Sequence, residues 1–524
     1  MSAILSADDL NDFITLGAAC IKPPTVSKPA DDSNENLEVE VQIDNDGNGL
    51  EVSKDGTTTN LSAAQISLAD CLACSGCITS AEEILVAQHS HDELVKALKN
   101  NTDKSFVASV SHQARASLAT AFNLKVEDID RLLINLFINQ MGFKAVVGTS
   151  LGRKLSLVNE SFNIINKKEQ QNSQEPILSS ICPGWVLYAE KTHPFILSKL
   201  SDVKSPQQIT GCLMKNLMSE QLETDKSNIY HLSIMPCFDK KLESARPEDG
   251  VEESFKDVDC VLTAKELVTL LDQQKDLFQL IPSNANKILN SPIAINELYK
   301  KVAPVNWPMI EDSWTSDEGS TSGGYSYNYL KILKKHLILK NNLLEENFEL
   351  KTIYGKNSDV YEMRLMYNNE KVGSAAIING FRNIQNLVRK FKPDNKPKGK
   401  FNPLVARRRA RKGVASKSEE ELADPFTCDY VEIMACPNGC INGGGQISHP
   451  TDVTEKDWLM RVVENYQNIP IFELTNSSTI NDLIIWSESF SNKFQVSENR
   501  LFRTWFKEVQ KPTDPNEIML GAKW

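Results

Sequence analysis

The chain has 524 residues, of which 41% are hydrophobic and 24% charged, ordinary usage for a globular protein of two to four domains with a sizeable core. A formal net charge of −12 argues against nucleic acid as the main partner. No run of about 18 apolar residues exists, so no transmembrane helix and no integral membrane association is expected.

The first residues, MSAILSADDLNDFITLG, carry Asp8, Asp9 and Asp12 and no early positive charge. They read as neither a secretory signal nor a transit peptide. The expected setting is a reducing compartment, where clustered cysteines mean metal or redox chemistry rather than disulfides. The cysteines number eleven, an odd count that a pure disulfide framework does not favour.

Cys20 stands alone, followed by a polar, acidic stretch over residues 21–60. Within it LEVEVQI alternates like a strand and NDGNG reads as a hairpin turn, which would return the chain toward Cys20. Next comes DCLACSGCITSAE, with Cys71, Cys74 and Cys77 in C-x2-C-x2-C spacing. A cubane [4Fe–4S] cluster takes one thiolate per iron, and a tight turn with Gly76 lets three of them wrap one cluster. The bacterial ferredoxin run continues with a fourth cysteine three residues on; here that position is Ala81, and Cys20 is the leading candidate for the fourth ligand. Zinc is the competing reading, but zinc sites usually pair two CxxC knuckles and no second knuckle is present. The stretch ITSAEEILVAQHSHDELVKALKN reads as an amphipathic helix.

From about residue 105 short apolar runs (FVASVSH, AVVGTS, PILSSIC, IYHLSIMPC, VDCVLTA) alternate with helical stretches such as SLATAFNL and AKELVTLLDQQ, the pattern of parallel α/β structure. TIYGKN, YEMRLMYN and DYVEIMAC repeat the strand pattern after residue 350, and VGSAAIINGFRNIQNLVRKF between them reads as a helix. Residues 391–424 are poor in apolar side chains, basic and then acidic. They read as a solvated loop insertion, with a localisation signal or basic contact patch as the functional alternative. KPTDPNEIMLGAKW reads as a mobile tail. No P-loop motif occurs. The expected organisation is a cluster-binding region over 1–104, a two-lobed α/β domain over 105–505 and a tail over 506–524.

A second cysteine set is spread over this domain: Cys182 in SSICPGW, Cys237 in MPCFDKKLE, and Cys436 and Cys440 in MACPNGCINGGGQ. Proline and glycine flank each, as in loops at strand ends, where α/β proteins place ligand sites. Gly443, Gly444 and Gly445 would leave backbone N–H groups for cluster sulfurs or an anion, and Lys240 and Lys241 would offset the charge of a thiolate-bound cluster. Cys212, Cys260 and Cys428 lie in periodic apolar segments and read as buried small hydrophobes.

These three loops, in this order, resemble the signature motifs around the active-site cluster of iron-only hydrogenases. SPQQITGCLMK and YVEIMACPNGCINGGGQ match as well, and the resemblance runs from about residue 105 to 505. It implies a two-lobed α/β fold with a [4Fe–4S] cluster at the lobe interface on Cys182, Cys237, Cys436 and Cys440, the last bridging to a two-iron subsite in the hydrogenases. One departure is marked: the hydrogenase first loop has a proton-relay cysteine where this chain has Ile181. A hydrocarbon side chain carries no proton, so hydrogen chemistry is not expected. The N-terminal set with its distant cysteine, and the final Trp524, resemble the eukaryotic iron-only-hydrogenase-like assembly factors (the nuclear-prelamin-A-recognition-factor-like family). That resemblance covers nearly the whole chain. It implies a non-enzymatic carrier of two [4Fe–4S] clusters in cytosolic iron–sulfur protein assembly, located in the cytoplasm with the nucleus as a second site. The implied partners are a late targeting complex containing a WD40 propeller, engaged through Trp524, and the P-loop scaffold proteins. The alternative function is a hydrogenase-like oxidoreductase or electron-transfer protein.

Overall fold

A computed structural model describes the backbone of residues 40–43, 49–52 and 58–60, and then residues 86, 88–100, 103–171, 175–246, 256–392, 422–474 and 478–509. Cys20, Cys71, Cys74, Cys77, Trp524 and the insertion over 393–421 lie outside the described residues. The chain divides into two compact units, Met1–Glu83 and Ile84–Trp524.

In the first unit β1 (Glu40–Ile43), β2 (Gly49–Val52) and β3 (Thr58–Asn60) form an antiparallel sheet in sequence order. Ile43 pairs with Gly49, so the chain does turn back between the alternating strand and its successor.

The second unit holds two sheets. One joins β4 (Ser105–Val110), β5 (Ala145–Gly148), β7 (Ile229–Met235) and β8 (Cys260–Thr263) in the order β5-β4-β7-β8, every pair parallel. Except for Ser105 at its edge, every residue of these strands is buried. That is why they read as unbroken apolar runs: a parallel sheet is covered on both faces. Strand ends hand over to capped helices. Ser111 accepts the Ala114 N–H at 3.3 Å to start α2 (His112–Ala121), and Thr263 with Glu266 forms a capping box for the helix Ala264–Gln273.

The other sheet runs β6-β12-β11-β10-β9, with β6 (Ile177–Leu178), β9 (Phe348–Tyr354), β10 (Val360–Tyr367), β11 (Glu370–Asn379) and β12 (Tyr430–Met434). It is mixed: β6, β12 and β11 are parallel, whereas β10 and β9 are antiparallel. The helix expected over VGSAAIINGFRNIQNLVRKF is split. Its first half is β11, buried from Gly373 to Asn379 between β10 and β12. Gly380 then takes φ +83°, a conformation few other residues adopt cheaply, and a helix occupies Phe381–Phe391.

The expected boundary at residue 104 also moves. Helix α1 (His91–Asn100) buries Leu94, Val95 and Ala97 in the core of the second unit, because its apolar face has that sheet layer to cover. Among the described residues no helix is long and apolar enough to cross a membrane.

Candidate metal centre

Each cysteine of the second set follows a strand. Cys182 comes four residues after β6 and immediately precedes helix Pro183–Thr192, whose first residue is the proline. Cys237 follows β7 through Pro236, and Cys436 follows β12. Cys440 opens a short turn, Cys440–Asn442, after Asn438 at φ +60° and Gly439 at φ +82°. Both sheets therefore contribute, each from the C-terminal ends of parallel strands, where α/β folds place their sites.

The three loops touch closely. The Ala435 N–H donates to Cys182 Sγ at 3.3 Å, tying the third loop to the first. The Gly445 N–H donates to Pro236 O at 2.9 Å, tying the third to the second. A side chain at Gly443 would place its Cβ 2.4 Å from Pro236 O, and one at Gly445 would fall 2.3 Å from Thr263 Cγ2. The glycine run thus serves close packing. The expectation that its N–H groups stay free holds only for Gly444, whose N–H faces the Cys436 thiol, because Gly443 N–H binds Cys440 O and Gly445 N–H binds Pro236 O.

Burial dominates the electrostatics. Desolvation pushes the Cys182 thiol up to about 12, and the neighbouring Cys440 adds to this while the Ala435 and Trp185 amides oppose it. Cys237 is held well above the usual thiol range by desolvation, then by Asp239, Cys436 and Cys440. Cys436 is held high by desolvation, then by Cys182 and Cys440. The four thiols therefore stand in one another's field, in a place too dry for four free thiolates.

Residues 104–444 match the family model described as "Iron only hydrogenase large subunit, C-terminal domain". A protein of Debaryomyces hansenii named cytosolic Fe-S cluster assembly factor NAR1 is 64% identical, with 100% of both chains covered. The protein of the same name in Scheffersomyces stipitis is 62% identical at the same coverage. The chain belongs to this assembly-factor family. Its fold is that of iron-only hydrogenases: an apo variant of [FeFe]-hydrogenase HydA1 from Chlamydomonas reinhardtii superposes with a TM-score of 0.54 at 18% identity, covering 80% of this chain and 99% of that one.

In this family member the two flagged lysines part company. Lys240 lies along the first cysteine loop, its Nζ donating to Ile181 O at 3.1 Å and to both Glu243 oxygens at 2.9 and 3.0 Å. Lys241 points elsewhere, to His89 O at 2.7 Å and Glu266 Oε1 at 2.5 Å, so the expectation that it offsets charge at the cysteines fails. Helical neighbours face different directions, which one-letter adjacency does not reveal. Ile181 is buried at 5% exposure. Cys212, Cys260 and Cys428 are buried, as expected of small hydrophobes.

Ser322 was not foreseen from the sequence. Its Oγ accepts the Cys440 N–H at 2.9 Å and fills the space a side chain at Gly439 would need, 2.3 Å from that Cβ position. The signal was available in SDEGSTSGGYS, a Ser/Gly loop with no other evident task. The donor set suits a cluster in kind and number, four soft thiols with one for each iron. Among the described residues no three His, Cys, Asp or Glu side chains are set tightly enough to hold a single metal ion.

Proposed function

We propose that the chain is a non-catalytic component of the cytosolic iron–sulfur protein assembly machinery, working in the cytoplasm and also in the nucleus. In this reading Cys182, Cys237, Cys436 and Cys440 hold one [4Fe–4S] cluster, and Cys20, Cys71, Cys74 and Cys77 hold a second. The observation that carries it is the convergence of the Cys182, Cys237 and Cys436/Cys440 loops from two sheets, tied by the Ala435 and Gly445 amides, with Cys182 buried and the other three partly buried. A bound cluster supplies iron in place of the thiol protons and a store for one electron. The chain supplies the rest: the Ala435, Gly444 and Cys440 amides and Ser322 hold the loops in register, and Lys240 brings positive charge to the rim. Ile181 has no atom that carries a proton, which favours an assembly role over hydrogen chemistry.

The test is anaerobic purification with iron and sulfide analysis, followed by a reduced-viologen hydrogenase assay. Two clusters correspond to about eight iron and about eight sulfide per chain. Hydrogen evolution is expected to match a heat-killed control, and activity above it sinks this reading in favour of an oxidoreductase.

The partner reading rests on the resemblance and on Trp524. An aromatic anchor at an interface commonly contributes about 2 kcal/mol or more, or roughly thirtyfold in affinity. Deleting Trp524 is expected to weaken capture of the WD40-containing targeting complex by that factor, with iron content and melting temperature unchanged. Lost thermal stability with intact capture would assign the ring to the protein's own core.

A further inference from the structure

Two packed helices lead away from the cysteine site. Helix Pro183–Thr192 starts directly after Cys182, and helix Asp239–Ser244 starts two residues after Cys237. Their first turns approach closely: a Cβ built at Gly184 would stand 2.8 Å from Asp239 Oδ2, and Lys240 Nζ donates to Ile181 O at 3.1 Å. Their far ends are joined by charge. Glu190, buried near the end of the first helix, receives Arg246, two residues beyond the second, in fork geometry. Nη1 donates to Oε2 at 3.1 Å and Nη2 to Oε1 at 2.5 Å.

The C-terminal segment lies across this clamp. Arg500 anchors its start on buried Asp257, Nη2 donating to Oδ1 at 2.7 Å. Phe502 O then accepts the Lys204 N–H at 2.8 Å, Val203 pairs antiparallel with Arg503, and the Thr504 N–H donates to Asp202 O at 2.7 Å. Beyond Thr504 the attachments pass to the clamp itself. The Lys507 N–H donates to Glu190 Oε1 at 2.9 Å and the Val509 N–H to Glu190 O at 3.1 Å. Arg246 Nη2 donates to Trp505 O at 3.3 Å, and its guanidinium lies 6.0 Å from the centre of the Phe506 ring. Residues 504–509 belong to no helix or strand, and residues 507–509 are exposed, so bonds to the two helices are what place them.

We propose that Thr504–Val509 is a strap that reads the filling of the cysteine site and carries that state toward the C-terminal end of the chain. This rests on the reading of Cys182, Cys237, Cys436 and Cys440 as ligands. An iron–sulfur group bonded to Cys182 and Cys237 at once fixes the spacing of the two helix starts. A helix moves as a rigid element, so the spacing of Glu190 and Arg246 is fixed with it. The strap bonds both residues only within a narrow range of that spacing, and it therefore docks more firmly over the filled site. Residues 510–524 continue directly from Val509, so the chain end that a partner would meet hangs from a contact that depends on loading.

The experiment is hydrogen–deuterium exchange, read by mass spectrometry, on the full-length protein carrying Cys74→Ala, compared iron-loaded and iron-free so that the core site alone differs. Loading is expected to slow exchange of the Lys507 and Val509 amides about tenfold, within the usual range of coupling between two sites. Helix Thr479–Phe494 is the reference and is expected to change little. Arg246→Met is expected to keep its iron and to leave both amides fast in either state. Strap amides that exchange alike in the two states overturn the proposal. Slowing of the reference helix by the same factor overturns it too, since loading then stabilises the whole fold and not the strap. So does a loading-dependent slowing that persists in Arg246→Met. If Arg246→Met does not load iron, Lys507→Pro decides, because it removes the exposed donor to Glu190 Oε1. Loss of the slowing at Val509 in that variant sustains the clamp, and its survival overturns it. The underlying ligand reading fails separately, if Cys436→Ala in the same background retains its full iron.

Discussion

Cys436→Ala is expected to remove the iron of the core site, about half of the total, and to destabilise the loaded protein. Cys436 follows β12 on the loop that also reaches Cys182 through the Ala435 amide and Pro236 through Gly445. A ligand held by three loops from two sheets binds the native arrangement and not the unfolded chain, so its binding energy is also folding energy. A ligand at a thousandfold its dissociation constant contributes about 4 kcal/mol, which sets the expected scale of the loss. Cys74→Ala and Cys20→Ala are expected to lower iron by up to half while leaving the melting of the second unit unchanged, because those cysteines belong to the separate unit Met1–Glu83. Iron and sulfide analysis with calorimetry of the same preparations checks both. Equal losses of stability from the two sets would contradict the ordering.

Arg115→Ala is expected to cost about 3–5 kcal/mol, the usual scale for breaking a buried ion pair from one side. Arg115 and Asp130 are 2% and 1% exposed and bind in fork geometry, Nε to Oδ1 at 2.7 Å and Nη2 to Oδ2 at 2.5 Å. The Tyr299 hydroxyl donates to Asp130 Oδ2 at 2.8 Å, and Arg115 Nη1 donates to Trp314 O at 2.7 Å. The Tyr299 and Trp314 rings stack with centroids 5.1 Å apart and planes 9° from parallel. Removing the arginine leaves a carboxylate dry and unpaired. Removing both charges with Arg115→Met and Asp130→Leu should recover part of the loss, since no buried charge is then left unpaired, although the Tyr299 hydroxyl and Trp314 O lose their partners. Urea unfolding of Arg115→Met, Asp130→Leu and their double closes the cycle, with Arg115→Ala measured beside them. A single-mutant cost below about 1 kcal/mol would mean that water reaches the pair. The pair also holds the segment after Trp314, where Thr315 O meets His112 Nε2 at 2.7 Å, so its loss should loosen the wall around Lys154.

Much of this molecule is legible in the one-letter code. The parallel strands β4, β5, β7 and β8 read correctly because burial on both faces demands unbroken apolar runs, and local composition records that demand. Proline and glycine beside Cys182, Cys237, Cys436 and Cys440 marked strand-end loops, because backbone geometry limits what can stand there. The absence of a proton carrier at Ile181 is likewise a matter of residue type alone. Other features needed the folded chain. GSAAIIN has no period that separates strand from helix, and β10 and β12 on either side decide for the strand. Lys240 and Lys241 are one letter apart but face different neighbours, since a helix turns each residue away from the last. The glycines at 443 and 445 are spent on contact with Pro236 and Thr263, which lie far off in sequence. Ser322 shows the difference most plainly. The sequence by itself determined that a hydroxyl stands at that position, but only tertiary structure decided that it meets the Cys440 amide and fills the space beside Gly439, because hydrogen-bond partners depend on which distant segments arrive beside it.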